Sequence, residues 1–300
     1  MTDPQLTIGV VGVGLIGASL ALAARQALPE ARLRLHDARV ENAHAMARRI
    51  AGAEVVERPA PLAECDFVFV CTPVRAVAAI VVSLLSSPGS RCVVIDAASV
   101  KRPVIDAVLG QAAAGRFVPG HPMAGSARSG PQHASAAVLK DAAFVLTPHA
   151  RLDADALERG RDLLDALGFR VVLVDPDEHD AAVSLTSHLP HALAYALALR
   201  LAEARLGEDE RAWAELDALS GRSLRTITYF ASANTTLWSE ILLANAAAVR
   251  DQIERTRATL AELGALIGAG DAEALANRLE PAAGAARRLQ RLQKADDGYE

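Results

Sequence analysis

The sequence predicts an α/β fold in two parts, a doubly wound parallel sheet over residues 1–175 and an all-helical domain over residues 176–300. Three observations predict it. Short apolar runs alternate with amphipathic stretches through the first half, the rhythm of strand–helix–strand units. A glycine-rich turn falls between the first apolar run and the first amphipathic stretch. After Asp175-Pro176-Asp177-Glu178 the strand-like runs stop, and helical periodicity continues nearly to the chain end.

Taken in order, residues 6–11 read as the first strand and 15–27 as the first helix. Residues 32–36, 67–71, 91–95, 144–147 and 170–174 read as further strands of the parallel sheet, each bounded by polar or turn residues. Asp175 can cap a helix, Pro176 suits its first position and Glu178 its third, a capping-box pattern with Asp in place of Ser or Thr. Helices are expected over about 177–206, 209–219, part of 222–231, 235–267 and 272–294. Pro190 has no N–H and should kink the first of these by clashing with the carbonyl of Thr186. Ile253, Leu260, Leu263 and Ile267 form an apolar face larger than one small bundle needs, which points to a homodimer through the helical domain.

With 300 residues there is chain enough for two domains of roughly 150 residues. The chain is 51% hydrophobic but only 4% aromatic, so Ala, Leu and Val must fill the core. A net charge of -5 without a basic stripe argues against nucleic acid as a partner. No window approaches 18 uninterrupted apolar residues, so no membrane span is expected. The start, Met1-Thr2-Asp3-Pro4, lacks the basic opening of a secretion signal, and Cys65, Cys71 and Cys92 have neither metal-ligand nor redox spacing. A cytoplasmic location without disulfides is expected.

Gly12-Val13-Gly14-Leu15-Ile16-Gly17 is a GxGxxG motif, weak alone but here following a strand and opening a helix. In that context Gly12 permits the tight turn, Gly14 lets backbone approach a pyrophosphate and Gly17 lets helix and sheet pack closely, as in a Rossmann domain. Leu15 and Ile16 begin the helix whose free N–H groups attract phosphate. Asp37, at the end of the second strand, would accept hydrogen bonds from ribose hydroxyls and repel a 2′-phosphate, so NAD is expected over NADP; Arg39 is the residue that a 2′-phosphate could meet. Thr72-Pro73 ends the fourth strand where a cofactor would lie, although a strand-ending turn explains it equally well.

Three segments carry polar groups toward the same end of the sheet. Ser99-Val100-Lys101 follows the fifth strand, and Ser99 can cap the next helix, bind a substrate hydroxyl, or both. His121 stands in the Gly/Pro-rich loop 120–126, which ends at Ser126. His188 and His191 lie one turn apart in Ser187-His188-Leu189-Pro190-His191. With no cysteine or third ligand at hand, no metal is expected there.

Gly12 to Ser19, Ser99-Val100-Lys101, His121-Pro122-Met123-Ala124-Gly125 with Ser129-Gly130, Asp177-Glu178-His179-Asp180 and Ser187 to His191 occur in the order of the prephenate/arogenate dehydrogenases, and the chain resembles that family over most of its length. Leu237-Trp238-Ser239-Glu240-Ile241 and Ala244-Asn245 are similar to the family's tryptophan-containing helix. The resemblance implies an NAD-dependent oxidative decarboxylation of a cyclohexadienyl substrate. In it His121 would be the general base, Ser99 would hold the reacting hydroxyl, and His191, His188 and Ser126 would contact the substrate. A free histidine, with a pKa of about 6.5, suits that task near neutral pH.

Two departures bear on substrate. The family pattern Gly-Phe-Arg-Asp-x-Thr-Arg reads here Ser223-Leu224-Arg225-Thr226-Ile227-Thr228-Tyr229, so Arg225 fits the first arginine and Tyr229 stands at the second, which binds a substrate carboxylate. Tyrosine cannot copy a bidentate guanidinium, unless Arg222 or Arg225 substitutes from another turn. Ala127 falls where many members carry Glu. Prephenate, arogenate and 4-amino-4-deoxyprephenate all stay open. The β-hydroxyacid dehydrogenases share the plan but use a helical lysine, and no lysine lies between Lys140 and Lys294. Pyrroline-carboxylate-type reductases would not explain the histidine segments, and a non-enzymatic NAD-binding regulator would not need His121 and Ser99.

Overall fold

The computed structural model describes residues 5–125, 129–140, 142–203 and 210–296. The six strands of its main sheet are all parallel: β1 (Thr7–Val11), β2 (Arg32–His36), β3 (Glu54–Val55), β4 (Phe67–Val70), β5 (Val93–Asp96) and β6 (Phe117–Val118). They are ordered β3-β2-β1-β4-β5-β6, so the chain steps outward from β1, returns past it to β4 and continues the other way. That reversal leaves a crevice beyond the carboxyl ends of β1 and β4, where open α/β sheets bind ligands.

Strand periodicity sorts the side chains into two cores. Ile8, Val10, Leu33, Leu35, Phe69, Val93 and Ile95 pack on one face, Val11, Val68, Val70, Cys92 and Val94 on the other. Helices α1 (Leu15–Ala27) and α2 (Val40–Arg49) contribute to the first core, α3 (Val74–Ser86) and α4 (Arg102–Leu109) to the second. In α1, small residues such as Gly17, Ala18, Ala21 and Ala24 make the buried face.

Two expectations need correction. The runs near 144–147 and 170–174 are strands, β8 (Ala143–Leu146) and β9 (Arg170–Leu173), but they do not extend the parallel sheet. They form a second, mixed sheet with β7 (Gly120–Pro122), which pairs antiparallel with β8. His121 is therefore on a strand and not in a loop, with Val145 as its register partner. Helix α5 (Ala154–Ala166) connects β8 to β9.

Beyond β9 the described residues are helical: α6 (Pro176–Val183), α7 (Leu189–Leu201), α8 (Glu210–Leu219), α9 (Arg222–Tyr229), α10 (Thr235–Ala244), α11 (Ala246–Ala269) and α12 (Ala272–Asp296). Asp175 caps α6 by accepting from the N–H groups of Asp177, 2.8 Å, and Glu178, 3.3 Å. The expected single helix is interrupted before Pro190 by a π-helical turn, Ser184–His188, in which Leu189 N–H donates to Ser184 O, five residues back. The wider turn accommodates a proline that an α-helical ladder would exclude. Contacts divide the chain into two compact units, one through Val249 and one from Arg250. In the second, Leu260 is 60% and Ile267 65% exposed.

Candidate active site

At the crevice, Gly12 has φ +88°, and a Cβ on it would lie 2.6 Å from the Cys71 carbonyl oxygen. A Cβ on Gly17 would lie 2.0 Å from the carbonyl oxygen of Gly12, so α1 touches the turn there. Around a Cβ on Gly14, by contrast, no heavy atom comes within 4 Å, and the first turn of α1 has neither a side-chain cap nor an acidic residue. Leu15 and Ile16, both partly exposed, start that turn. An open, uncapped helix N-terminus over a glycine turn suits a phosphate. Asp37 braces the turn: its Oδ2 accepts from Val13 N–H at 2.6 Å, and Oδ1 accepts from Arg39 N–H and Asn42 Nδ2. Thr72 and Pro73 join β4 to α3, and among the described residues the buried Thr72 Oγ1 has no hydrogen-bond partner. Open glycine backbone, a carboxylate at the end of β2 and an unpartnered hydroxyl at the end of β4 together fit a dinucleotide.

Next to the crevice, a buried ion pair fixes β7. Lys101 Nζ lies 2.5 Å from both Asp96 Oδ2 and Gly120 O, and Asp96 Oδ1 accepts from Gly120 N–H at 2.9 Å. Both charged side chains are fully buried. Gly120 has to be glycine, because a Cβ would meet the Phe144 ring at 2.4 Å. Ser99 lies in the bend between Asp96 and Lys101, so the two residues that hold Gly120 also hold its segment. Ser99 does not cap α4. The cap comes from Asp180 on α6, whose carboxylate accepts from the N–H groups of Lys101 and Arg102, both at 2.9 Å.

His121 is half-buried, with its Nδ1 2.9 Å from Nε2 of the buried His179. His179 Nδ1 in turn lies 2.7 Å from Asp180 Oδ1. Burial holds the His121 pKa well below 6.5, and the nearby Lys101 charge pushes it the same way. His121 is thus neutral at pH 7. For Asp180, burial acts upward, but the hydrogen bonds from His179 and from the Arg102 and Lys101 amides hold the carboxyl below its usual range.

His188 is 1% exposed, and burial pushes its pKa down to about 4. Its Nδ1 is 3.2 Å from Asn245 Nδ2, which also donates to Asp180 O at 2.8 Å, while among the described residues its Nε2 has no partner. His191 donates from Nδ1 to Ser187 O, 2.9 Å, and stacks on Trp238 with ring centroids 3.4 Å apart. Trp238 also meets His188 edge-on, and Phe230 meets His191 edge-on.

The tertiary structure thus brings His121, His188 and His191 into one neighbourhood. Arg225 and Tyr229 lie on α9, lining an open depression of about 620 Å³ with Arg222 and Phe230. Arg225 Nη2 pairs with Asp217 Oδ1 at 2.8 Å, and Tyr229 is 57% exposed with its ring edge against Phe230. Ser126 and Ala127 lie outside the described residues. Sequence reading assigned no role to His179, Asp180, Trp238 or Asn245. The signals were present as a His-Asp pair just after a helix cap and as a Trp and an Asn seven residues apart.

Residues 20–173 match the nucleotide-binding domain of prephenate dehydrogenase, and residues 175–281 match its dimerization domain. The chain belongs to the prephenate dehydrogenase family. Like other members it is an oxidoreductase, here with a Rossmann-type domain and a helical domain. A cyclohexadienyl dehydrogenase of Zymomonas mobilis is 29% identical over 269 residues, 89% of this chain and 90% of that protein. The Synechocystis arogenate dehydrogenase superposes with a TM-score of 0.78 at 28% identity, covering 95% of this chain and all of that one. A prephenate dehydrogenase from A. aeolicus, solved with hydroxyphenyl propionate and NAD+, gives a TM-score of 0.83 at 26% identity over 98% of this chain and 99% of that one.

Proposed function

We propose that the protein catalyses the NAD-dependent oxidative decarboxylation of a cyclohexadienyl substrate, prephenate to 4-hydroxyphenylpyruvate, arogenate to tyrosine, or both, with His121 as general base. One observation carries this reading: beside the crevice over the glycine turn, the Lys101–Asp96 pair holds Gly120, the neighbour of the half-buried His121, whose pKa burial pushes well below 6.5. A base must be unprotonated to act, and the low pKa of His121 meets that need at neutral pH.

Residues 1–175 hold the cofactor and 176–300 form the substrate and dimerisation part. Gly12, Gly14 and Gly17 admit the pyrophosphate to the start of α1, where Leu15 and Ile16 offer N–H groups. Asp37 accepts from the ribose hydroxyls and disfavours a 2′-phosphate, so NAD is used in preference to NADP. Thr72 and Pro73 border the crevice. NAD supplies the hydride acceptor when bound. His121 takes the proton of the ring hydroxyl as the carbon bearing it is oxidised; the ring carboxylate then leaves as CO2, and aromatisation drives that step. Ser99 holds the same hydroxyl. His191 and His188 orient the substrate, with Trp238 as the wall behind them. Ser126 is a further substrate contact.

A second reading has a specific observation in its favour. Tyr229 occupies the position of the family's carboxylate arginine, and Arg225 is already engaged by Asp217. Together with Ala127, this departure from the family pattern leaves a relative acting on 4-amino-4-deoxyprephenate as the alternative. The deciding experiment follows NADH formation with prephenate, L-arogenate and 4-amino-4-deoxyprephenate, for the wild type and His121→Asn. Turnover of prephenate or arogenate is expected, with kcat about 10²–10⁴-fold lower in the variant and NAD affinity retained. Turnover of the amino analogue alone establishes the second reading. Near-normal turnover by His121→Asn removes His121 as the base, and silence of the wild type on all three substrates leaves a nucleotide-binding protein with another function.

A further inference from the structure

We propose that His179, backed by Asp180, is a positioning residue that locks His121 in its Nδ1–H tautomer and so makes Nε2 the nitrogen that accepts the substrate proton. The inference rests on the reading of His121 as base and assigns a task to a residue outside the cofactor and substrate contacts.

The argument starts from Asp180. Its carboxylate accepts from three donors, the N–H groups of Lys101 and Arg102 and Nδ1 of His179. A carboxylate only accepts, so Nδ1 of His179 carries a proton. A His179 ring that carries only this proton has its lone pair on Nε2, 2.9 Å from His121 Nδ1. Only a proton on His121 Nδ1 completes that hydrogen bond. The lone pair of neutral His121 is consequently on Nε2, away from His179. When Nε2 takes the substrate proton, the imidazolium still donates through Nδ1 to His179 and, through it, faces the Asp180 carboxylate. One proton is gained by His121, none is lost, and the chain His121–His179–Asp180 stays hydrogen-bonded throughout. The logic is that of an aspartate orienting a catalytic histidine, lengthened by one ring.

A purely structural role explains the geometry less well. Asp180 caps α4 through both oxygens without His179, and His179 is 3% exposed with its two ring nitrogens directed to Asp180 and His121.

Two readouts test the proposal. In ¹⁵N-histidine NMR of the intact protein near neutral pH, His121 should appear as the Nδ1–H tautomer, and His179→Ala should shift it toward Nε2–H, the form free imidazole side chains prefer. In steady-state kinetics, His179→Ala should lower kcat about 10²-fold with both KM values within about threefold. His179→Gln should recover about tenfold of that loss, because its amide oxygen can reach the place of Nε2 and accept from His121. An Nε2–H tautomer for His121 in the wild type overturns the proposal even if His179→Ala does not fold. So does a His179→Ala enzyme with unchanged kcat while His121→Asn is inactive; that pair of results leaves the base assignment standing. An active His121→Asn defeats the base assignment itself.

Discussion

His121 and His188 share a physical condition, a ring kept neutral by burial, and it has two consequences at the residue scale. The pKa of His121 is depressed, so the deprotonated, competent form prevails through neutral pH. A plot of kcat/KM against pH should therefore be level around pH 7 and turn down only below His121's ordinary 6.5. His188 affects stability. Its pKa is about 4 in the folded chain against 6.5 for a free ring, so the unfolded chain binds the proton more tightly. Its contribution is complete above pH 6.5 and is lost as pH falls toward 4, by about 3 kcal/mol in all. The urea midpoint should drop between pH 7 and pH 4.5, and equal midpoints would contradict the assignment of His188 as a buried neutral ring. Residue identity was legible for Gly12, Gly14, Gly17 and His121 because each sits in a diagnostic local motif. His179 was not, since its importance comes from a neighbour 58 positions away.

At the scale of elements, short β7 is held by what packs on it more than by its own three residues. Lys101 and Asp96, fully buried, bond both the carbonyl and the N–H of Gly120. Lys101→Met keeps most of the side-chain volume but strands the Asp96 charge. It should cost about 3–5 kcal/mol, read from urea denaturation, and a loss below about 1 kcal/mol would mean that the Lys101–Asp96 pair does not hold this part of the fold. A three-residue strand is too brief to show a period, which is why His121 reads as a loop residue in the sequence; β8 and β9 read as further members of the parallel sheet because a strand's own pattern does not say which strand it pairs with. The longer elements were legible: α1 and β2 begin and end where their patterns do. The π turn before Pro190 is the physical answer to a proline that sequence alone could only mark as a kink.

For the molecule as a whole, the family's dimerization domain covers residues 175–281. Ile253, Leu260, Ile267 and Leu279 are 40–65% exposed within the second compact unit. We expect a homodimer that buries this face, and the double variant Leu260→Glu, Ile267→Glu should halve the mass seen by light scattering. An unchanged mass would place the interface elsewhere.

The sequence by itself determined the doubly wound half, the helical half and the place of the cofactor turn. All three follow from local rules: periods of about 2 and 3.6 residues, a left-handed glycine, a capped helix start. Only the tertiary structure decided which histidine faces which partner. Asp180 reaches Lys101 across 79 positions, His179 meets His121 across 58, and Asn245 meets His188 across 57. Contacts of that span leave no periodic trace in one sequence, because the folding of the elements between them, and not the chain near them, brings their atoms within hydrogen-bonding distance.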